Sequence, residues 1–352
     1  MASDIPTLRW GIVATGLISS WFVADLSLTR PDAKARHVIQ AIGSSSSEKG
    51  KGFVEKHLPG QSPTVYSSYD EVYQDPNVDI VYIGTPHAFH KKNCLDAIKH
   101  GKHVLCEKAF GINKAEAKEV FDAAREKGVF VMEAMWTRFF PLVQTMQKLI
   151  HTDNVIGDLQ RVFCDFAMVQ DIASLPETSR LKNRSLGAGS LLDIGIYSLT
   201  WGLLALDAKL GDEAETPKIA ATQRLSDGVD VASSMLLLYR SGKQGILTSG
   251  TTTRTKPEFC RIEGSQGTIV VEGIAASKPS SFTINLPDKE PKKYEVDCPG
   301  MGFFWEADAV AVDIAAGKLQ NDVMPWSETL RVLGILDEVR RQGGAKFPQD
   351  VN

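Results

Sequence analysis

Between residues 8 and 134 short β-branched runs alternate with amphipathic stretches, and few architectures accept such a pattern. Residues 8–14 are apolar, and a glycine turn leads from them into a helical stretch over 17–29. Residues 38–43 are apolar again, followed by a polar helix near 48–57. A third run at 79–85 precedes a helical stretch over 90–100 that Gly101 ends. Two more runs lie at 103–107 and 129–134. Between them Ala117, Val120, Phe121 and Ala124 fall at helical spacing, with Gly128 as a stop. Strand–helix alternation of this kind predicts a parallel sheet covered by helices on both faces. Right-handed crossovers then make it doubly wound.

Beyond residue 155 the grammar changes. Long strand-like runs at 159–169, 218–224, 231–239, 245–252, 260–263, 268–271 and 282–286 are punctuated by hairpin-like Ser241-Gly242 and a glycine-bounded turn at 264–267. This half is expected to be α/β with a mostly antiparallel sheet, flanked by helices near 190–206, 303–316 and 327–341. With 352 residues, two domains are the natural division, placed at 1–133 and 134–352.

Composition removes several function classes. Acidic residues outnumber basic ones, 43 to 39, and no basic run occurs, which argues against a nucleic-acid partner. The longest uncharged apolar-rich run, 194–206, falls short of the roughly 20 residues a membrane span needs, so it reads as a buried helix and no membrane partner is expected. The first residues lack a basic region followed by a separate apolar stretch. The five cysteines are scattered and form no CxxC pair. Free thiols and a cytoplasmic location are therefore expected.

The turn after the first run carries the first candidate chemistry. A dinucleotide fold needs small residues there, because the backbone turns tightly and approaches a pyrophosphate at a helix N-terminus. The usual G-x-G-x-x-G is degraded to Ala14, Gly16 and Ser19. Gly11, Thr15, Gly16, Leu17 and Ile18 are candidate cofactor contacts, against the alternative of a plain glycine turn. NAD enzymes usually place a carboxylate after the second strand for the ribose 2′-OH. Here that place reads Gly43-Ser44-Ser45-Ser46-Ser47-Glu48-Lys49, with no carboxylate at the tip. Ser44, Ser45 and Lys49 suit a 2′-phosphate and so favour NADP; the alternative is a serine loop that contacts nothing.

Four landmarks then occur in order: RWGIVATGLIS at 9–19, GTPHAFH at 84–90, CEKAFGIN at 106–113 and GAGSLLDIGIYSL at 187–199. Together they resemble the Gfo/Idh/MocA oxidoreductase family. EAMWTRFFP at 133–141 and the C-terminal stretches WEADAVAVDIAAGKL and MPWSETLRVLGILDEVRR are similar to its branch of dihydrodiol and D-xylose dehydrogenases. The resemblance implies an N-terminal Rossmann domain, and a C-terminal α/β domain whose open sheet mediates oligomerisation, here a homodimer. It matches Glu107 and Lys108 to the family's E-K-P motif, with Ala109 in place of the stiffening proline. It matches Asp193 and Tyr197 to the acid and tyrosine of a D-x-x-x-Y motif. Thr85, Pro86 and His90 match a loop that faces the cofactor, and Trp136 and Arg138 a segment near the nicotinamide. For these two the alternatives are core packing and a salt bridge. The His87-x-x-His90 spacing lacks the further ligands a metal site needs, so no metal is expected.

Alcohol oxidation needs a base for the hydroxyl proton. A free tyrosine, with a pKa of about 10, is a poor one at neutral pH. A nearby lysine ammonium favours the phenolate. The resemblance therefore implies that Tyr197 carries the proton, Lys108 tunes it and holds the hydroxyl oxygen, and Asp193 orients substrate or lysine. The expected reaction is NADP-dependent hydride transfer with a sugar or polyol, first of all oxidation of D-xylose or D-glucose at C1 to the lactone. A trans-dihydrodiol dehydrogenase and a dicarbonyl or keto-sugar reductase are close alternatives. A non-catalytic NADP-sensing regulator and an NAD-dependent glycosidase are alternatives of other classes.

Overall fold

The computed structural model describes residues 5–350. Within them the chain forms two compact units. The first comprises the chain up to Gly111, then Ala115–Trp136 and Pro299–Trp326. The second comprises Ile112–Lys114, Thr137–Cys298 and the chain from Ser327 onward. The segment Pro299–Trp326 thus belongs with residues far before it in sequence.

The first unit is built on a six-stranded sheet in the order β3-β2-β1-β4-β5-β6. Its strands are β1 (Thr7–Val13), β2 (Arg36–Gly43), β3 (Thr64–Tyr66), β4 (Ile80–Ile83), β5 (His103–Glu107) and β6 (Val131–Ala134). Every pairing is parallel. Helices Leu17–Leu26, Ser47–His57, Tyr69–Gln74, His90–Lys99 and Lys114–Lys127 form the connections. Strand order reverses between β1 and β4. In open α/β sheets, ligands bind outside the carboxyl ends of the strands at such a point. The strands are short and apolar because both faces are covered: every residue of β4 and β6 is buried.

The returning helix Phe303–Ala315 is tied to this sheet by charge. Asp25, at the end of helix Leu17–Leu26, accepts hydrogen bonds from the backbone N–H groups of Met301, Gly302 and Phe303 at 2.6–3.1 Å. These are donors that the start of a helix leaves without partners. Arg30 Nη2 reaches Asp308 at 2.6 Å, and His37 Nε2 lies 3.0 Å from the same carboxylate. Trp10 Nε1 donates to His37 Nδ1. His37 therefore carries its proton on Nε2 and donates it to Asp308.

The second unit holds an eight-stranded sheet in the order β14-β13-β12-β11-β7-β10-β9-β8. The strands are β7 (Leu159–Ala167), β8 (Lys218–Ser226), β9 (Val229–Leu238), β10 (Gln244–Gly250), β11 (Glu258–Gly264), β12 (Thr268–Ala275), β13 (Lys278–Asn285) and β14 (Lys292–Glu295). Only the β7–β10 pair is parallel. One face receives helix Ile196–Leu206, which is buried along its whole length. The helical stretch Arg184–Leu206 has the length and hydropathy of a membrane span, yet 89% of its apolar window lies inside the protein, as a core helix does.

The other face of this sheet keeps contact with solvent. The register sets Ala220, Leu236, Ile246, Phe163, Arg261 and Val270 side by side across six strands. Leu236 is 43% exposed, and the guanidinium groups of Arg161 and Arg261 lie over the Phe163 ring.

Removing the Asp25 carboxylate strands three amide donors in a buried place. Asp25→Ala is expected to cost about 2 kcal/mol, read from the midpoint of urea unfolding. A loss below about 0.5 kcal/mol would mean that water replaces the cap.

Candidate active site

The turn after β1 has the geometry of an anion cradle. Helix Leu17–Leu26 starts at Gly16 with no side-chain cap and no acidic residue in its first turn. Its first N–H groups are therefore left for a ligand. A Cβ on Gly16 would meet nothing within 4 Å, and Leu17 is 66% exposed. The site thus has room and donors for a pyrophosphate, and a dinucleotide fits it. Ala14 adopts φ 77°, a left-handed conformation that glycine takes at no steric cost. Gly11 plays another part than expected. It lies inside β1, where a Cβ would fall 2.5 Å from Val72 Cγ1, so its missing side chain serves packing of helix Tyr69–Gln74. Ile18 is half-buried beside the turn.

At the end of β2, Ser44 is buried and its hydroxyl lies 3.2 Å from that of Thr15. The two turns are thereby joined. Ser45 and Lys49 are exposed, and Lys49 Nζ donates to Ser45 Oγ at 3.3 Å. Ser46 caps helix Ser47–His57 through the Lys49 amide. This leaves a cation and hydroxyls at the strand tip, a donor set suited to a phosphate.

Lys108 follows β5 and is half-buried. The Lys108–Ala109 peptide bond is cis. The chain after it is held from two sides. His90 Nδ1 lies 2.9 Å from the Ala109 carbonyl, and Glu133 accepts from the Phe110 amide at 3.0 Å. His90 Nε2 lies 2.7 Å from the Thr85 carbonyl. Burial lowers the pKa of His90 to about 4, so the ring is neutral at pH 7. It has a single N–H to share between two carbonyls. His90 is fully buried and ties the loop after β4 to the loop after β5, a supporting role instead of the expected cofactor contact. With both ring nitrogens on carbonyls it has no lone pair aimed outward for a metal. Among the described residues no group of three His, Cys, Asp or Glu side chains is placed to hold a metal ion. Thr85 is buried, its hydroxyl accepting from Asn93 Nδ2, and Pro86 opens the turn His87–Phe89. Glu107 is buried and accepts from the Tyr82 hydroxyl at 2.6 Å.

Trp136 is buried and stacks on Phe303 at 4.4 Å between ring centroids, within the first unit. Arg138 belongs to the second unit, 1% exposed, with Nη2 on Glu328 at 2.7 Å. For these two residues the core packing and the salt bridge describe what is seen.

Asp193 and Tyr197 belong to the second unit. Asp193 lies in a π-turn, Leu191–Gly195, that runs directly into helix Ile196–Leu206 carrying Tyr197. Such insertions are frequent at functional sites. Asp193 is half-buried and pairs with Arg180 Nη1 at 3.3 Å. Tyr197 is buried, edge-on to Phe166. A small cavity at Asp193 is lined also by Gln170, Ser190, Asp230 and Thr251, together with apolar side chains.

The class of protein follows from the first unit: a doubly wound sheet with an open, uncapped helix start at its first turn, the arrangement of a dinucleotide-dependent enzyme. Residues 8–135 match the oxidoreductase family model with an NAD-binding Rossmann fold, and residues 143–270 match the model of the GFO/IDH/MocA C-terminal domain. The chain belongs to the Gfo/Idh/MocA oxidoreductase family. It is 35% identical to the NADP-dependent D-xylose 1-dehydrogenase of Hypocrea jecorina, over 99% of this chain and 95% of that one. It is 34% identical to the trans-1,2-dihydrobenzene-1,2-diol dehydrogenase of Sus scrofa, over 97% and 99%. Among solved structures, an aldose-aldose oxidoreductase from Caulobacter crescentus superposes with a TM-score of 0.81 at 22% identity, covering 96% of this chain and 98% of that one.

Ala14 stands where the cofactor turn asks for glycine. Ala14→Gly is expected to raise stability by about 0.5–1 kcal/mol, seen as a higher unfolding midpoint. A lower midpoint would show that the loss of backbone freedom outweighs the relief.

Proposed function

We propose that this protein is an NADP-dependent sugar dehydrogenase that oxidises an aldose, D-xylose or D-glucose, at C1 to the lactone. What carries the reading is the similarity to the D-xylose dehydrogenase along nearly the whole chain, supported by Lys108, Asp193 and Tyr197 standing at the places of the family's motif lysine, acid and tyrosine. The uncapped helix after Gly16 and the Ser44, Ser45 and Lys49 hydroxyls and ammonium support a dinucleotide bearing a 2′-phosphate. When bound, NADP supplies the acceptor for the hydride that leaves C1.

The remaining work falls to side chains. Tyr197 takes the proton of the C1 hydroxyl as the C–O bond becomes a carbonyl. Lys108 holds that oxygen and favours the phenolate. Asp193 orients the sugar, and its pairing with Arg180 keeps the carboxylate from swinging freely. Oxidation of a trans-dihydrodiol to a catechol is the second reading, favoured by the nearly equal identity to the pig enzyme. It asks the same three residues for the same proton.

The test is NADPH absorbance at 340 nm with the purified protein, NADP, and a panel of aldoses and trans-dihydrodiols, beside Lys108→Ala and Tyr197→Phe. Turnover of an aldose, reduced about a thousandfold or more in both variants, is the expected result. Turnover of diols alone would transfer the assignment to the second reading. Tight NADP binding with no turnover would make the protein a sensor.

We also propose a homodimer formed through the solvent-facing side of the eight-stranded sheet. The apolar neighbours Leu236, Ile246 and Phe163, edged by Arg161 and Arg261, support it, since an apolar patch rimmed by polar residues is characteristic of an interface. Leu236→Arg is expected to convert a dimer to a folded monomer in sedimentation velocity. A dimer that survives the change would place the contact elsewhere.

A further inference from the structure

The helix proposed to carry the catalytic acid and tyrosine begins without a cap of its own. Ser190 precedes the π-turn and makes no side-chain capping bond. The acceptor comes from 40 residues away, on β9. Asp230 Oδ2 accepts from the Leu191 amide at 2.7 Å, from Ser190 Oγ at 2.9 Å and from Ser233 Oγ at 3.2 Å. Ser190 Oγ also lies 3.2 Å from Ser249 Oγ. The backbone has been shaped around this carboxylate. Gly189 has φ 143°, and a Cβ there would fall 2.0 Å from Asp230 Oδ1. Gly195, at the end of the π-turn, leaves room for Ser249 Oγ, which a Cβ would approach to 2.8 Å. Asp230 is 1% exposed and shares the small cavity with Asp193.

We infer that Asp230 is a positioning residue: its carboxylate fixes the start of the helix and thereby the placement of Asp193 and Tyr197. The inference rests on the catalytic reading of those two residues given above. The physical basis is twofold. A carboxylate facing a helix N-terminus meets both unpartnered N–H groups and the positive end of the helix dipole. A π-turn closes i→i+5 bonds, here from the Ile196 N–H to the Leu191 carbonyl, which are rare beside the α-helical ladder, so an outside anchor helps to fix its geometry.

The groups around Asp230 make the anchor sensitive to pH. Its hydrogen-bond partners are an amide and two hydroxyls, all neutral. Among the cavity's lining residues the other ionisable group is Asp193, and Arg184 lies against Gly228 in the turn before β9. Burial raises the pKa of Asp230 to about 6, against the lowering effect of the hydrogen bonds from Leu191, Ser190 and Ser233. Above that pH the anchor is charged; as pH falls through 6 it takes a proton, and its bonds to the helix start weaken with the loss of charge.

The experiment compares wild type, Asp230→Asn and the milder Ser190→Ala. It records kcat and KM on the aldose turned over, from pH 5 to 8, together with NADPH affinity and amide hydrogen exchange over residues 189–199. Asp230→Asn is expected to lower kcat at pH 7.5 by about tenfold or more and to leave NADPH affinity within about twofold. It should also abolish the acid limb of kcat near pH 6 and speed exchange in that segment. Ser190→Ala removes one bond to the carboxylate, so the limb should move to higher pH. A wild-type profile flat through pH 6, a limb that persists in Asp230→Asn, or unchanged exchange over 189–199 overturns the inference. Tyr197→Phe run alongside separates the two layers. If it keeps wild-type kcat, the role of Tyr197 fails, and hydrogen exchange alone decides on the anchor. If it loses turnover while Asp230→Asn does not, only the anchor fails.

Discussion

The start of every helix leaves amide donors that must find an acceptor, and three such starts organise this protein. Two are closed by buried carboxylates borrowed from elsewhere in the same unit. Asp25 closes helix Phe303–Ala315, and Asp230 closes the turn that leads into helix Ile196–Leu206. The third, at Gly16, has neither a capping side chain nor an acidic residue in its first turn. An aspartate at either closed start occupies the position an anionic ligand would take. Leaving the Gly16 start, at the switch point of the parallel sheet, without a competing acid favours a pyrophosphate at that turn.

Most of the framework was readable because its signals are local. The strands β1, β2, β4, β5 and β6 show as apolar runs, and the helices between them as stretches of helical spacing. Strands of the second sheet alternate in burial, as β9 does from Val231 through Ser233, Met235 and Leu237. What escaped is short or depends on distance. β3 has three residues and helix Tyr69–Gln74 six, too few for periodicity to stand out, and β14 is polar and mostly exposed, so no apolar run marks it. Helix Pro141–His151 follows a motif segment that drew the reading toward cofactor contacts. No pattern in 299–326 announces that it rejoins the first unit, because its anchor is Asp25, hundreds of residues earlier.

The candidate site divides along the same line. Lys108, Asp193 and Tyr197 stood out through motifs, and so did Gly16, Ser44, Ser45 and Lys49. The residues that hold them did not. Asp230 sits in an ordinary-looking strand start, and its value appears only when β9 is laid against the π-turn. His90 was visible as part of a motif, but its task of tying Ala109 to Thr85 is a matter of two carbonyls meeting in space. Gly11 looked like part of the phosphate turn, and the side chain it makes room for, Val72, lies on another element. Arg138 matched a motif segment near the nicotinamide, with a salt bridge as the alternative, and a buried glutamate holds it.

A last feature shows how the first unit manages acid beside its lysine. Glu306 is fully buried, and neither carboxylate oxygen has a hydrogen-bond partner. Its pKa is pushed well above the usual carboxylate range, first by burial and then by the negative charges of Glu107 and Asp25. Glu107 and Asp25 each have donors, the Tyr82 hydroxyl for one and three amides for the other. Charge therefore settles where hydrogen bonds receive it, and the proton settles on the acid that has none. A neutral Glu306 spares the interior a further negative charge beside those of Glu107 and Asp25. The buried acids of the first unit thus divide their protons according to the donors each one meets, and Glu107, the residue before Lys108, is one of those that keep their charge.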